Sequence, residues 1–323
     1  MSIPALPEIL ATARVVALPL ATRFRGIDVR EALLFEGPEG WSEFSPFTEY
    51  PDAEAATWLA AALDFGWCTP PDPQRTSIPV NATVPAVTTA FPWRCRAMGQ
   101  ENLPRGGETF ASASDVEDVL ARFDGCRTAK VKVAERGQTL ADDVARVRAV
   151  RLALGPQGRV RLDANGGWNV DEAERAVHAL AEFDLEYLEQ PCASVDELAQ
   201  LRERIADWDI PIAADESVRK AADPLAVARA GAADLIVVKA QPLGGVRRAL
   251  EIVAEAGLPA VVSSALETSV GLAMGVHLAA ALPDLDYDCG LGTASLLAAD
   301  VTTQPLRPAS GMLSVRRVAP DSA

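Results

Sequence analysis

The chain has no run of apolar residues approaching the ~20 needed to cross a bilayer, which argues against a membrane-spanning helix. A basic leader is missing as well: residues 1–20 carry Glu8 and are broken by Pro4, Pro7 and Pro19, so no export signal is read and a cytoplasmic location is expected. Cysteine is sparse and scattered. Cys68, Cys95, Cys126, Cys192 and Cys289 form no CxxC pair and leave an odd count, which argues against a disulfide framework or a zinc knuckle and suits a reducing compartment. Positive charge is also short, with 30 Lys and Arg against 45 Asp and Glu and a formal net charge of -15. Such a balance opposes binding to nucleic-acid phosphates and anionic membranes, leaving a small molecule as the expected partner. Histidine is limited to His178 and His277, both in helical segments and assigned no chemistry.

What is there is a chain of 323 residues, 49% hydrophobic, long enough for one large domain and a small appended one. Residues 14–20 and 30–36 read as short strands, and the turn at 37–40 leads into 41–44, suggesting a small antiparallel sheet. Residues 52–65 read as a helix with Asp52 as its cap, and 69–76 as a crossover. Beyond it, apolar strand candidates at 78–84, 128–133, 160–163, 186–189, 212–215, 235–239, 260–264 and 286–289 alternate with helical segments. Those segments include 140–154, 171–183, 195–205, 225–230, 246–256 and 269–282, and Ser194 with Glu197 offers a capping box. Alternation of this kind is the signature of parallel β/α units. The stretch 87–112 shows no helical pattern and exceeds ordinary β/α loops of about 2–6 residues; a lid, a disordered insert and an unrecognised element all stay open.

Ionisable residues recur at the strand ends: Asp163, Glu189, Asp215 and Lys239, at intervals of 26, 26 and 24 residues. A repeat close to one β/α unit places all four on one rim, and in β/α barrels the C-terminal rim of the strands holds the active site. Each acid alone is more often a helix cap or a surface charge. Three in register, with no His or Cys nearby, make an oxygen-only site suited to a hard divalent ion such as Mg2+. Lys130 and Lys132 lie two apart on one strand and so share a face. On the barrel interior, the Lys130 ammonium would lower the pKa of Lys132, as a base working near neutral pH requires. Lys239, on the sixth strand, would lie across the barrel from Lys132 on the second. Lysines facing each other over a metal can remove a proton α to a carboxylate and stabilise the oxyanion that results.

The segments Lys130-Val131-Lys132, Asp163-Ala164-Asn165, Glu189-Gln190-Pro191 and Asp215-Glu216-Ser217, with Lys239 before Gly244-Gly245, resemble the enolase superfamily. Its members use a Lys or His base with magnesium to stabilise an enediolate. The resemblance implies an α/β fold, a (β/α)7β TIM-like barrel with a small α+β capping domain. The expected division is a cap at 1–76, a catalytic barrel at 77–295 and a segment at 296–323 that returns to the cap. Further segments, at 24–26, 40–47, 80–85, 125–133 and 289–293, are similar to the o-succinylbenzoate synthase family of menaquinone biosynthesis, particularly its actinobacterial kind.

That resemblance implies a hydro-lyase carrying out the syn dehydration of 2-succinyl-6-hydroxy-2,4-cyclohexadiene-1-carboxylate through an enediolate. Lys132 would take the α-proton and return it to the departing hydroxyl, Asp163, Glu189 and Asp215 would hold magnesium, and Lys239 would stabilise the enediolate. Ser263, Ser264, Gly290, Leu291, Gly292 and Thr293 are the expected contacts to the ring and succinyl tail, with Lys130, Arg161 and Asn165 in support. The chief rival is an N-succinylamino acid racemase, in which Lys132 and Lys239 act as opposed acid and base. The acids of Asp286-Tyr287-Asp288 could instead grip an amino group, as in dipeptide epimerases, and a non-catalytic metal-binding barrel is the alternative from outside enzymology.

Overall fold

A computed structural model describes residues 4–86, 113–219 and 223–322. The stretch read as a lid, insert or unrecognised element, 87–112, lies outside the described residues. Strands β1 (Arg14–Phe24) and β2 (Ile27–Gly37) form an antiparallel hairpin, and β3 (Gly40–Phe44) pairs with β2. The hairpin turns on Arg25 and Gly26, at φ of 50° and 78°. Positive φ at both central residues matches the right-handed twist of the flanking strands, which is why two-residue hairpins favour it.

A helix at Asp52–Trp67 packs on this sheet through Trp58, Ala62, Leu63 and Trp67. Asp52 is the first helical residue and Pro51 takes the cap position, so the expected Asp52 cap is corrected by one residue. Sheet and helix approach closely where two glycines meet, since a Cβ at Gly37 would lie 2.2 Å from the Gly66 carbonyl oxygen. Backbone cannot yield there as a flexible side chain would. Gly37→Ala is therefore expected to cost about 2–3 kcal/mol and lower the thermal midpoint accordingly; an unchanged midpoint would show that helix and hairpin part freely.

The second sheet has seven parallel strands in chain order: β5 (Ala82–Val84), β6 (Thr128–Lys132), β7 (Arg159–Asp163), β8 (Leu185–Glu189), β9 (Ile212–Ala214), β10 (Leu235–Val238) and β11 (Ala260–Val262). Parallel bridges from Cys289 to Val80 and from Gly290 to Ser263 join its two edges. The eighth strand expected at 286–289 is thus reduced to the dipeptide that closes the barrel. The strand expected at 78–84 is also divided, at Val80 and Asn81. Its first part, β4 (Ser77–Pro79), pairs antiparallel with β12 (Met312–Ser314). From there the chain's end reaches the helix Asp52–Trp67, where Arg317 lies 3.9 Å over the Phe65 ring and donates to the Phe65 carbonyl at 2.7 Å.

Alternation along the strands sorts the core into two parts. Residues facing outward meet the surrounding helices in a large cluster that includes Val131, Leu162, Leu188, Ile236 and Val262. Those facing inward form a small plug of Tyr187, Ala213, Leu235, Val237 and Val261, with Tyr287 against it. The plug fills the lower barrel, so inward side chains further along each strand collect at the C-terminal rim.

Helices at Leu140–Leu154, Val170–Leu180 and Val195–Arg204 start in capping boxes closed by Thr139 with Asp142, Asn169 with Glu172, and Ser194 with Glu197. The segment expected at 225–230 is one turn, Ala226–Arg229, and a helix at Ala113–Leu120 went unread. No helix among the described residues is long and apolar enough to cross a membrane.

Candidate active site

Pairing register sets the site. Lys132 stands opposite Asp163, Asp163 opposite Glu189 and Glu189 opposite Ala213, so one lysine and two carboxylates share a rung. Asp215, two residues past Ala213, points the same way one step higher, and Lys239 follows the last residue of β10. The rung below carries Thr83, Lys130, Arg161 and Tyr187.

The three carboxylates are almost wholly buried, with side-chain exposures of 1% for Asp163 and 0% for Glu189 and Asp215. Each meets a cation. Lys132 donates to Asp163 and, at 2.7 Å, to the Asn165 side-chain oxygen. Lys130 reaches both oxygens of Glu189, at 2.9 and 3.0 Å, and lies 3.2 Å from Asp163. Lys239 donates to Asp215, whose other oxygen takes Arg219 Nε at 3.0 Å.

These partners set the ionisation. Burial pushes Asp163 upward, but Lys132 and Lys130 outweigh it and hold the carboxyl well below its ordinary range. Asp215 is likewise held down, with Arg219 and Lys239 prevailing over burial. Glu189 goes the other way, to about 7, through burial and the neighbouring Asp163 charge. Lys130 is held in its charged form by Glu189 and Asp163 against the effect of burial. Its charge is thus matched by these acids, as their counter-ion. Burial lowers Lys239, against the pull of Asp215.

Above the rim lies a pocket lined by Lys130, Lys132, Asp163, Asn165, Arg219 and Lys239 from the barrel and by Phe24 and Arg25 from the hairpin turn. The Phe24 ring stands 5.5 Å from Lys132 Nζ. Ser263, Ser264, Gly290 and Thr293 line the pocket too, with Ser264 Oγ 2.7 Å from Thr293 Oγ1. Leu291 does not: it is buried in the outer core against Gly275. Nor does Gly292, which is packed against Asn81 and Phe123. Arg161 is also absent from the lining. It is fully buried beside the plug, paired with Glu186, 4.8 Å over Tyr187 and bonded to Asn81 at 3.2 Å. Asp288 is engaged there with Arg159 and Thr128, away from the pocket.

The acids expected to hold a metal share one rim, but among the described residues no three His, Cys, Asp or Glu converge on one point. Each carboxylate is turned to an ammonium or guanidinium group instead. The chemistry of the set nevertheless fits a hard cation: its donors are all oxygen and all buried.

Arg219 escaped the reading of the sequence, and Glu216 was quoted within a motif without a role. They lie 2.6 Å apart on the short helix Glu216–Arg219, and the four-residue spacing of Asp215 and Arg219 was the available signal. Glu43, too, was quoted within a motif without a role. From β3 its carboxylate accepts Thr268 Oγ1 and Ser45 Oγ, both at 2.6 Å, and the amides of Thr268 and Gly271 at 3.2 and 3.0 Å. It thereby satisfies the first turn of the helix Ser269–Ala281.

Burial, aided by Glu267 and opposed by Ser45, Thr268 and Arg30, raises Glu43 to about 7. A folded value above the ordinary 4.5 means that its contribution to stability is full below 4.5 and is lost as pH rises through 7. The thermal midpoint should accordingly fall between pH 5 and pH 8 by a component on the order of 3 kcal/mol. Glu43→Gln should flatten that slope, and an identical slope in the variant would exclude Glu43 as its source.

The fold and site define the class: the chain belongs to the enolase superfamily. Residues 113–320 match the enolase C-terminal domain-like family and 15–66 the enolase N-terminal domain-like family. Solved structures with the same fold include the muconate lactonizing enzyme of Pseudomonas fluorescens complexed with muconolactone, at TM-score 0.74 and 21% identity over 96% of this chain and 94% of that one. A dipeptide epimerase of Enterococcus faecalis complexed with Mg and L-Leu-L-Tyr gives TM-score 0.73 at 21% identity over 95% and 97%. Within the superfamily, the chain is a member of the o-succinylbenzoate synthase family. It is 56% identical to the o-succinylbenzoate synthase of Thermobifida fusca over 95% of this chain and 88% of that one, and 53% identical to that of Mycobacterium tuberculosis over 99% and 89%.

Proposed function

We infer that the chain catalyses the reaction its family is named for, the syn dehydration of 2-succinyl-6-hydroxy-2,4-cyclohexadiene-1-carboxylate to o-succinylbenzoate and water in menaquinone biosynthesis. The observation that carries this reading is the pairing of Lys132, at a pocket above three buried carboxylates, with Lys239 on the opposite side of the barrel. Lys132 as the free amine takes the proton from the carbon bearing the carboxylate. That C–H electron pair passes into the enediolate. The pair then forms the new ring double bond as the C–O bond breaks, and Lys132 hands its proton to the departing hydroxyl on the same face, releasing water and an aromatic ring.

Asn165, 2.7 Å from Lys132 Nζ, orients the amine. Lys239, as the ammonium, stabilises the enediolate charge without giving up a proton. Asp163, Glu189 and Asp215 are the residues that hold Mg2+; when bound, it supplies Lewis-acid positive charge for the substrate carboxylate. Ser263, Ser264, Gly290 and Thr293 shape the wall for the ring and succinyl tail. Leu291 and Gly292 serve the core, and Arg161 the barrel plug.

The proposed division is a cap at 1–76, a barrel at 77–295 and a returning segment at 296–323. A reducing, cytoplasmic location accords with the four described cysteines, Cys68, Cys126, Cys192 and Cys289, which are all free. The deciding assay follows o-succinylbenzoate by its ultraviolet absorbance with and without magnesium. Rapid metal-dependent turnover is expected. Racemisation of N-succinylamino acids with no dehydration would overturn the reading in favour of the racemase.

A further inference from the structure

The wall of the pocket at Ala265 and Leu266 is held in place from outside the barrel. Arg30 of β2, itself 2% exposed, donates Nε to the Leu266 carbonyl at 3.1 Å and Nη2 to the Ala265 carbonyl at 3.4 Å. The same guanidinium donates to the Ser45 carbonyl and stacks 4.4 Å over the Phe47 ring. Glu43 secures the other end of the segment at Thr268 and Gly271. Between these two anchors Leu266 is held at φ +67°, a conformation that non-glycine residues adopt only under constraint.

The clamp dictates which way the amides point. Across a trans peptide the carbonyl and the following N–H lie on opposite sides. With the Ala265 carbonyl turned toward Arg30, the Leu266 N–H is directed away from it, on the side where Ala265 and Leu266 line the pocket. Neighbouring amides are engaged: Ala265 N–H donates to Glu267 at 2.7 Å, and those of Thr268 and Gly271 to Glu43. Among the described residues, the Leu266 N–H has no acceptor. Leu266 is 1% exposed, and a buried donor without a partner is costly to maintain.

We propose that the Leu266 amide is a substrate-binding donor that takes an oxygen of the succinyl side chain, and that Arg30 and Glu43 are the positioning residues that aim it. The inference rests on the dehydration reading, since that reading supplies a ligand with a ketone and a second carboxylate on its side chain. It also gives the cap a task at the pocket beyond the hairpin turn: the cap sets the orientation of a binding group on the barrel.

The test removes the donor and keeps every side chain. Incorporating the α-hydroxy analogue of leucine at position 266 replaces the N–H with an ester oxygen and leaves the side chain in place. Binding of o-succinylbenzoate and of benzoate is then measured by calorimetry with magnesium present, and Arg30→Lys is assayed in parallel for kcat and KM. The ester is expected to weaken o-succinylbenzoate binding roughly 10-fold, as loss of a hydrogen bond to a charged or carbonyl acceptor does, and to leave benzoate unaffected. Arg30→Lys, which lacks the fixed planar fork that spans these carbonyls, should raise KM by a similar factor with kcat within about 3-fold and the thermal midpoint largely retained.

Unchanged o-succinylbenzoate affinity in the ester, or equal weakening of both ligands, overturns the assignment to the side chain. If the ester chain does not fold, an unchanged KM in Arg30→Lys overturns it. Failure of the unaltered chain to turn over the cyclohexadiene would instead reject the dehydration reading, and the inference with it.

Discussion

Lys132→Ala is expected to lower kcat by about 10^3- to 10^4-fold, the range that a positioned proton-transfer group contributes, while leaving the fold almost intact. The second half of that expectation follows from the ion pairs. Asp163 would lose Lys132 but keep Lys130 at 3.2 Å, so no buried carboxylate is stranded. Lys132 is also the more accessible of the two, with a 12% exposed side chain. Single-turnover measurement at saturating substrate, alongside thermal unfolding, separates the two quantities. A variant that keeps even a tenth of the activity would remove Lys132 from the proton transfer; one that loses activity together with its cooperative melt would show a structural role instead.

The second large effect concerns Glu189→Gln. Its carboxylate takes Lys130 at 2.9 and 3.0 Å, so the amide leaves that buried ammonium with one oxygen and Asp163 and should lower the midpoint of the apo fold. Magnesium binding should suffer far more, because a neutral amide replaces a charged oxygen ligand in a buried set of three. We expect the metal affinity to fall at least ~100-fold and turnover at moderate magnesium to vanish. Magnesium should raise the midpoint of the unaltered chain by mass action and leave that of the variant unmoved. Equal stabilisation of both by magnesium would place the ion somewhere other than at Glu189. Retained turnover in the variant would remove Glu189 from the metal-holding set.

Much of the barrel was legible because its signals are local. Apolar strands at 160–163, 186–189, 212–215 and 235–239 each end on an ionisable residue, and the spacing of those residues sets Asp163, Glu189, Asp215 and Lys239 on one rim. The structure places them there, each with a cationic or anionic partner in contact. Local patterning was less informative where one strand serves two sheets. Residues 78–84 read as continuous, yet Ser77–Pro79 pairs with Met312–Ser314, and only Ala82–Val84 joins the barrel. The loop 289–293 shows the same limit: its residues look alike in sequence, but Gly290 and Thr293 reach the pocket while Leu291 turns into the core.

By itself, then, the sequence determined the β/α repeat, the rim on which the charges gather and the lysines and acids available for chemistry, because period and strand length act within one unit of chain. Only the tertiary structure decided which cation each carboxylate meets, that Arg219 and Lys239 share Asp215, and that Arg30 and Glu43 hold the wall at Ala265 to Thr268. Those contacts join residues as far apart as Glu43 and Thr268, which meet only once β3 is laid against the helix after the last barrel strands. No periodicity records such a meeting, since it depends on how two separately patterned surfaces fit together.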